Sequence, residues 1–227
     1  MTRLRHLATL FLSHKEFSGA GGLVVSDEMA VAVAAQAVLP ILNLDDGLRW
    51  YAAFVGIVMH SDAVVASREV VGEDGVVHEY DEELAGEAMQ DGPVMLSWHD
   101  VEAAAAEHGH ADWAYNVTIH EFAHVIDMVD GVADGVPPLA DRAARRHWVQ
   151  VMEAAYGDFC TQVDAQCRTA IDPYAAQSIE EFFAVTVETF YVQPLALQRA
   201  APAVYRLLAD HFREDPARHV GLSIAGA

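Results

Sequence analysis

The chain has 227 residues with 13 basic and 34 acidic side chains, a formal net charge of −21. A surface that acidic repels phosphate backbones and anionic lipid, which excludes nonspecific binding to nucleic acid and argues against a role at membranes. Hydrophobic residues make up 53%, enough to build a core and too many for a disordered chain, and the length fits one domain over residues 1–227.

Met1–Leu12 holds an apolar stretch, Leu7–Leu12, too short for a signal-peptide core, and Ser13-His14-Lys15-Glu16 offers no small-residue cleavage site. It reads as an amphipathic helix. No apolar run approaches the roughly 20 residues needed to span a bilayer, so the chain is expected to be cytoplasmic, with no membrane partner. Cys160 and Cys167 then read as reduced packing residues, seven apart on an expected helix, and not as a disulfide or metal ligands.

Ser26-Asp27-Glu28 signals a helix start, with a capping side chain and first-turn acids ahead of an apolar run that stops before Pro40. Gly19–Gly22 lacks a phosphate-loop pattern and reads as a flexible connection. Trp50 to about Met59, rich in aromatic and β-branched residues, predicts a buried strand. Val70-Val71 and Val76-Val77 flank Gly72-Glu73-Asp74-Gly75, a hairpin pattern. Val94–Trp98 is a further strand. It is either an exposed edge to which a peptide adds or a paired core strand, and its alternation does not separate the two.

Beyond residue 98 the pattern turns helical: Val101–Glu107, a turn at Gly109, then Tyr115–Val129. A loop from Asp130 to Pro138 leads to a helix over Ala140–Ala155. Another starts at Ser178 and ends before Pro194, and a last one spans Leu195–Phe212. The fold class is α+β, mostly helical with a small mixed sheet.

The chemistry concentrates in Asn116–Asp127, which contains His120-Glu121-Phe122-Ala123-His124. Residues i and i+4 share a helix face, so both imidazoles can address one cation, while Glu121 lies about 100° round the axis, beside the ion and not on it. With 12 His and 16 Glu in the chain, chance placement gives about 0.04 such matches. The apolar neighbours Val117, Ile119, Phe122, Val125 and Ile126 imply burial, and two buried imidazoles need partners that a cation supplies. Zinc at a catalytic site takes three protein ligands and keeps one position open. Asp130 has the spacing of a third ligand that follows a glycine-bent helix, but Asp127 stands where that glycine is needed. His147 lies in a charged stretch. Glu181 and Glu180 both open the helix at Ser178, and periodicity leaves either free to face inward. Ser178-x-x-Glu181 is also a capping box, which would turn Glu181 back on Ser178.

The pair Asn-x-x-x-His-Glu-Phe-Ala-His-x-x-Asp (116–127) and Pro-Tyr-Ala-Ala-x-x-x-x-Glu-x-Phe-Ala-Val (173–185) resembles the Mlc titration factor A family of zinc peptidases, relatives of the anthrax lethal factor catalytic domain. Phe17–Gly22, Ser26–Met29, Ala34–Ala37 with Leu39-Pro40, and Gly92–Trp98 carry the resemblance over nearly the whole chain. It implies a gluzincin-type fold and one zinc ion on His120, His124 and Glu181. It further implies Glu121 as general base, and Tyr174, seven residues before the ligand glutamate, as an active-site tyrosine. The implied activity is an aminopeptidase-like hydrolysis of peptide substrates in the cytoplasm, and the implied partner a repressor of glucose-uptake genes. Lethal-factor relatives carry a second acid four residues after the ligand glutamate, where this chain has Val185, so Asp127 is the expected substitute for orienting a histidine. The alternative reading is a protein-binding regulator that sequesters a repressor, with a structural or vestigial metal site.

Overall fold

The computed structural model describes residues 2–71, 77–106 and 113–219, with backbone alone over 66–71, 77–83 and 105–106. The chain opens with α1 (Thr2–His14), which buries Leu7 and Phe11, one turn apart. Strand β1 (Glu16–Gly19) follows, and then α2 (Asp27–Ala37). The start of α2 is as its sequence dictates: Ser26 Oγ accepts the Met29 amide at 3.2 Å, and Asp27 and Glu28 sit at the positive end of the helix dipole.

A short 3₁₀ helix (Gly47–Tyr51) replaces the first half of the strand expected over Trp50–Met59; β2 begins only at Gly56 and ends at His60. The aromatic residues that suggested a strand are claimed by tertiary contacts. The Tyr51 hydroxyl donates to the Ala37 carbonyl at 2.8 Å, and the carbonyls of Tyr51 and Phe54 accept from the buried ammonium of Lys15. Carbonyls so occupied are not free to join a β ladder.

Strands β3 (Val64–Val71) and β4 (Val77–Leu84) form the expected antiparallel pair, with Val71 opposite Val77; the Gly72–Gly75 turn lies outside the described residues, as do Gly109 and its flanking histidines. Strand β5 (Gly86–Ala88) and β6 (Val94–Ser97) complete a second sheet, ordered β1-β2-β6-β5 among the described residues. Its first three strands run parallel and β5 is antiparallel to β6. Val94–Ser97 is therefore a paired core strand, and among the described residues the outer strands of this sheet are β1 and β5.

Helices α3 (Trp98–Ala106), α4 (Val117–Asp127), α5 (Arg142–Asp164) and α6 (Ile179–Val192) follow. α5 runs nine residues past its expected end at Ala155: its stripe of Trp148, Met152 and Phe159 stays buried through Gly157, which meets nothing within 4 Å. The expected final helix is two, α7 (Pro194–Ala200) and α8 (Pro202–Phe212), because Pro202 cannot continue a helix yet suits its first turn. α4 lies at the centre, packed on α6, α2 and the sheet. Phe122 on its inner face meets Tyr51 (ring centroids 4.9 Å apart) and Phe11 (5.6 Å). Burial of each such ring contributes roughly 2–3 kcal/mol. The architecture is mostly helical with a small mixed sheet, and among the described residues no helix is long and apolar enough to cross a membrane. Cys160 is half-buried on α5, but Cys167 lies beyond the helix end and is exposed, so it does not pack as expected.

Candidate metal centre

Helix α4 starts at Asn116, whose Oδ1 accepts the Ile119 amide at 2.9 Å and whose carbonyl accepts the His120 amide at 3.0 Å. Val117, Ile119, Phe122, Ala123, Val125 and Ile126 are all buried, so the helix is fixed by packing on nearly every side. His120 and His124 share the face turned toward α6, with their Nε2 atoms 3.2 Å apart.

Opposite them, α6 starts at Ser178, whose Oγ accepts the Glu181 amide at 3.3 Å. That is half of the expected capping box. The Glu181 side chain does not return to Ser178; it reaches across, with Oε2 3.2 Å from His120 Nε2 and Oε1 3.5 Å from His124 Nε2. Burial alone would raise the Glu181 pKa, but the two imidazoles outweigh it and hold the carboxyl well below the usual range. For His120, burial works against the imidazolium, while Glu181 and Glu188 raise its pKa well above the ordinary value.

The donor set suits a divalent cation. One ligand atom from each of His120, His124 and Glu181 lies within 4.8 Å of the others. Glu181 Oε2 is buried with no hydrogen-bond partner, and of two imidazole nitrogens facing each other only one can carry the proton between them. Orphaned acceptors converging on one point are what a cation satisfies. Glu180 has no place in the cluster. Asp130 is turned to Arg145, 3.9 Å away, and His147 is exposed on α5.

Glu121 lies beside the cluster, buried, and burial raises its pKa despite the neighbouring histidines. The Ala88 backbone N–H on β5 faces it and acts in the opposite sense, favouring the ionised form. Tyr174 sits on a short 3₁₀ turn (Pro173–Ala176) held by Asp172 Oδ1, which accepts the Tyr174 amide at 2.9 Å; its ring centroid is 6.2 Å from that of His120, and it is 39% exposed. A cleft of about 270 Å³ joins these groups, floored by His120 and Glu121 and walled by Gly86 and Tyr174.

Two second-layer assignments differ from expectation. Asp127 does not orient a histidine. Fully buried, it accepts the amides of Gly135 at 2.9 Å and Val136 at 2.8 Å, anchoring the loop after α4. The acid that does face a histidine is Glu188, whose Oε2 lies 3.5 Å from His120 Nδ1 and whose Oε1 accepts the Asn116 amide. It stands seven residues after Glu181, which leaves it only about 20° round the same helix face. The seven-residue spacing of the two glutamates is the sequence signal that could have found it.

Residues 1–213 match the family described as glucose-regulated metallo-peptidase M90. An uncharacterized protein of Synechocystis sp. is 35% identical over 91% of this chain and 74% of its own length. Proteins named Mlc titration factor A are similar over most of their length too. The one from Salmonella gallinarum is 31% identical over 98% of this chain and 82% of its own, and that from Yersinia pestis 29% identical over 94% and 77%.

Proposed function

The chain belongs to the glucose-regulated metallo-peptidase family, and on that premise we propose that it is a zinc-dependent peptidase of gluzincin type, a single peptidase domain. His120, His124 and Glu181 are its metal ligands, Glu121 its general base and Tyr174 its oxyanion donor. One observation carries the reading: three ligand atoms within 4.8 Å of one another, on two packed helices, beside a buried carboxylate.

When bound, the ion supplies Lewis-acid polarisation of the scissile carbonyl and acidifies a coordinated water. Glu121 takes the proton of the attacking water and passes it to the leaving amine; such a base contributes typically about 10²–10⁴ in rate. Its partial desolvation favours the proton-accepting role, because a carboxylate stripped of water holds a proton more tightly. Tyr174 donates its phenol O–H to the oxygen on which charge develops. The substrate is a peptide laid along β5, the outer strand whose Ala88 amide faces Glu121.

The expected action is aminopeptidase-like and the setting cytoplasmic. The name of the Salmonella and Yersinia relatives, Mlc titration factor A, supports a second, compatible reading in which the chain sequesters a transcriptional repressor of sugar uptake. The test of the enzyme is hydrolysis of aminoacyl anilides by wild type and Glu121→Gln. The variant should keep its metal and lose about 10²-fold or more in kcat. Equal turnover in the two proteins removes Glu121 from the mechanism, and activity in neither leaves the sequestering role as the function.

A further inference from the structure

We propose that Glu188 is the positioning residue of the metal centre: it sets which nitrogen of His120 carries the proton and ties that ring to the first turn of α4. The inference rests on the metal reading above and goes beyond it, to the group that makes His120 a competent ligand.

The two faces of the His120 ring have separate neighbours. Nε2 points at His124 Nε2 (3.2 Å) and Glu181 Oε2 (3.2 Å). Nδ1 points the other way, to Glu188 Oε2 at 3.5 Å. A neutral imidazole has one N–H, so Nε2 can offer its lone pair to a cation only if the proton sits on Nδ1. Facing Nδ1, the Glu188 carboxyl oxygen accepts that proton once Nε2 is given to a cation; without the cation, Glu181 Oε2 at 3.2 Å competes for it on the Nε2 side.

The second oxygen of Glu188 is committed to the same turn of helix. Oε1 accepts the Asn116 amide, the Asn116 carbonyl accepts the His120 amide at 3.0 Å, and the His120 ring returns to Glu188. The loop of contacts closes on itself through one side chain of α6. Val185, where a second acid was expected, is buried and apolar, and Glu188 reaches the ring from one turn further on. A buried carboxylate in a helix otherwise lined by Phe182, Phe183, Val187 and Phe190 is costly to retain, and its partners account for it.

Glutamine separates positioning from mere packing. In Glu188→Gln the amide oxygen can still accept the Asn116 N–H, which preserves the cap, but the remaining NH₂ presents a donor to Nδ1 and so favours the opposite tautomer of His120. Two measurements are made on metal-free protein and on protein titrated with zinc. The first is ring-nitrogen NMR of His120 at a pH where the imidazoles are neutral. The second is zinc affinity by chelator competition, alongside the thermal midpoint of the metal-free form. Metal-free Glu181→Ala, in which no carboxylate faces Nε2, should carry its His120 proton on Nδ1, and adding Glu188→Gln should move it to Nε2. Glu188→Gln alone should bind zinc about 10–100-fold more weakly than wild type, with its metal-free midpoint unchanged.

Equal zinc affinity in wild type and Glu188→Gln, or an Nε2–H tautomer in metal-free Glu181→Ala, overturns the proposal. The Glu181→Ala spectrum decides the tautomer if Glu188→Gln fails to fold. If wild type takes up no zinc, the metal reading fails, while the tautomer still reports separately on Glu188.

Discussion

Gly86 on β5 lies directly against the Glu121 carboxylate: a Cβ placed on Gly86 would stand 2.6 Å from both Glu121 Cγ and Oε1. That distance is below any real Cβ contact, and the Ala88 amide of the same strand faces the carboxylate and favours its ionised form. The edge strand thus sets where the Glu121 carboxylate, the proposed base, sits. Gly86→Ala should displace the carboxylate by about 1 Å and cost about 10²-fold in kcat, while zinc stoichiometry, governed by other residues, stays at the wild-type level. Steady-state kinetics beside metal analysis checks this; a fully active Gly86→Ala would show that the base tolerates the shift.

Tyr174→Phe removes a hydroxyl and keeps the ring that stands 6.2 Å from His120. The expected result is a loss of about 10²–10³ in kcat with little change in KM, because the hydroxyl acts where charge develops. A purely structural tyrosine would instead lower the thermal midpoint and leave kcat alone.

Asp127 should behave as a structural residue. Asp127→Asn leaves one oxygen to serve the Gly135 and Val136 amides, so the variant should lose about 1–3 kcal/mol by denaturant unfolding and keep its metal. Loss of the metal without loss of stability would return Asp127 to the histidines.

Much of this architecture was legible in local signals. Ser26 and Ser178 marked helix starts because a capping side chain acts within three residues, and His120-Glu121-x-x-His124 was legible because one helix face is set by spacing alone. What escaped depends on partners remote in sequence. Gly86–Ala88 has no β-branched or aromatic residue and is a strand only because β6 pairs with it. Trp50–Phe54 has strand composition and is not one, because Lys15 takes its carbonyls. Glu181 could not be told from Glu180 until α4 was packed against α6.

His211 sets a pH dependence. It is packed among Trp50, Trp148 and Phe212, with its Nε2 buried and unpartnered. Burial, aided by the Arg213 charge, pushes its pKa down to about 4. The folded state therefore binds its proton less readily than the unfolded chain, whose histidine titrates near 6.5. The His211 contribution is full above pH about 6.5 and is lost as pH falls from there through 4, by about 3 kcal/mol in all. Denaturant unfolding at several pH values should show that much less acid sensitivity in His211→Phe than in wild type; parallel curves would mean that His211 protonates freely in the folded state.

The central claim is a single divalent ion shared by α4 and α6. Metal analysis of chelator-free, untagged protein tests it most directly, on wild type, Glu181→Ala and Asp130→Ala together. The account predicts one zinc per chain in wild type and in Asp130→Ala, and none retained by Glu181→Ala. A wild type that neither carries nor takes up a stoichiometric ion, or a Glu181→Ala protein that keeps it, would contradict the account.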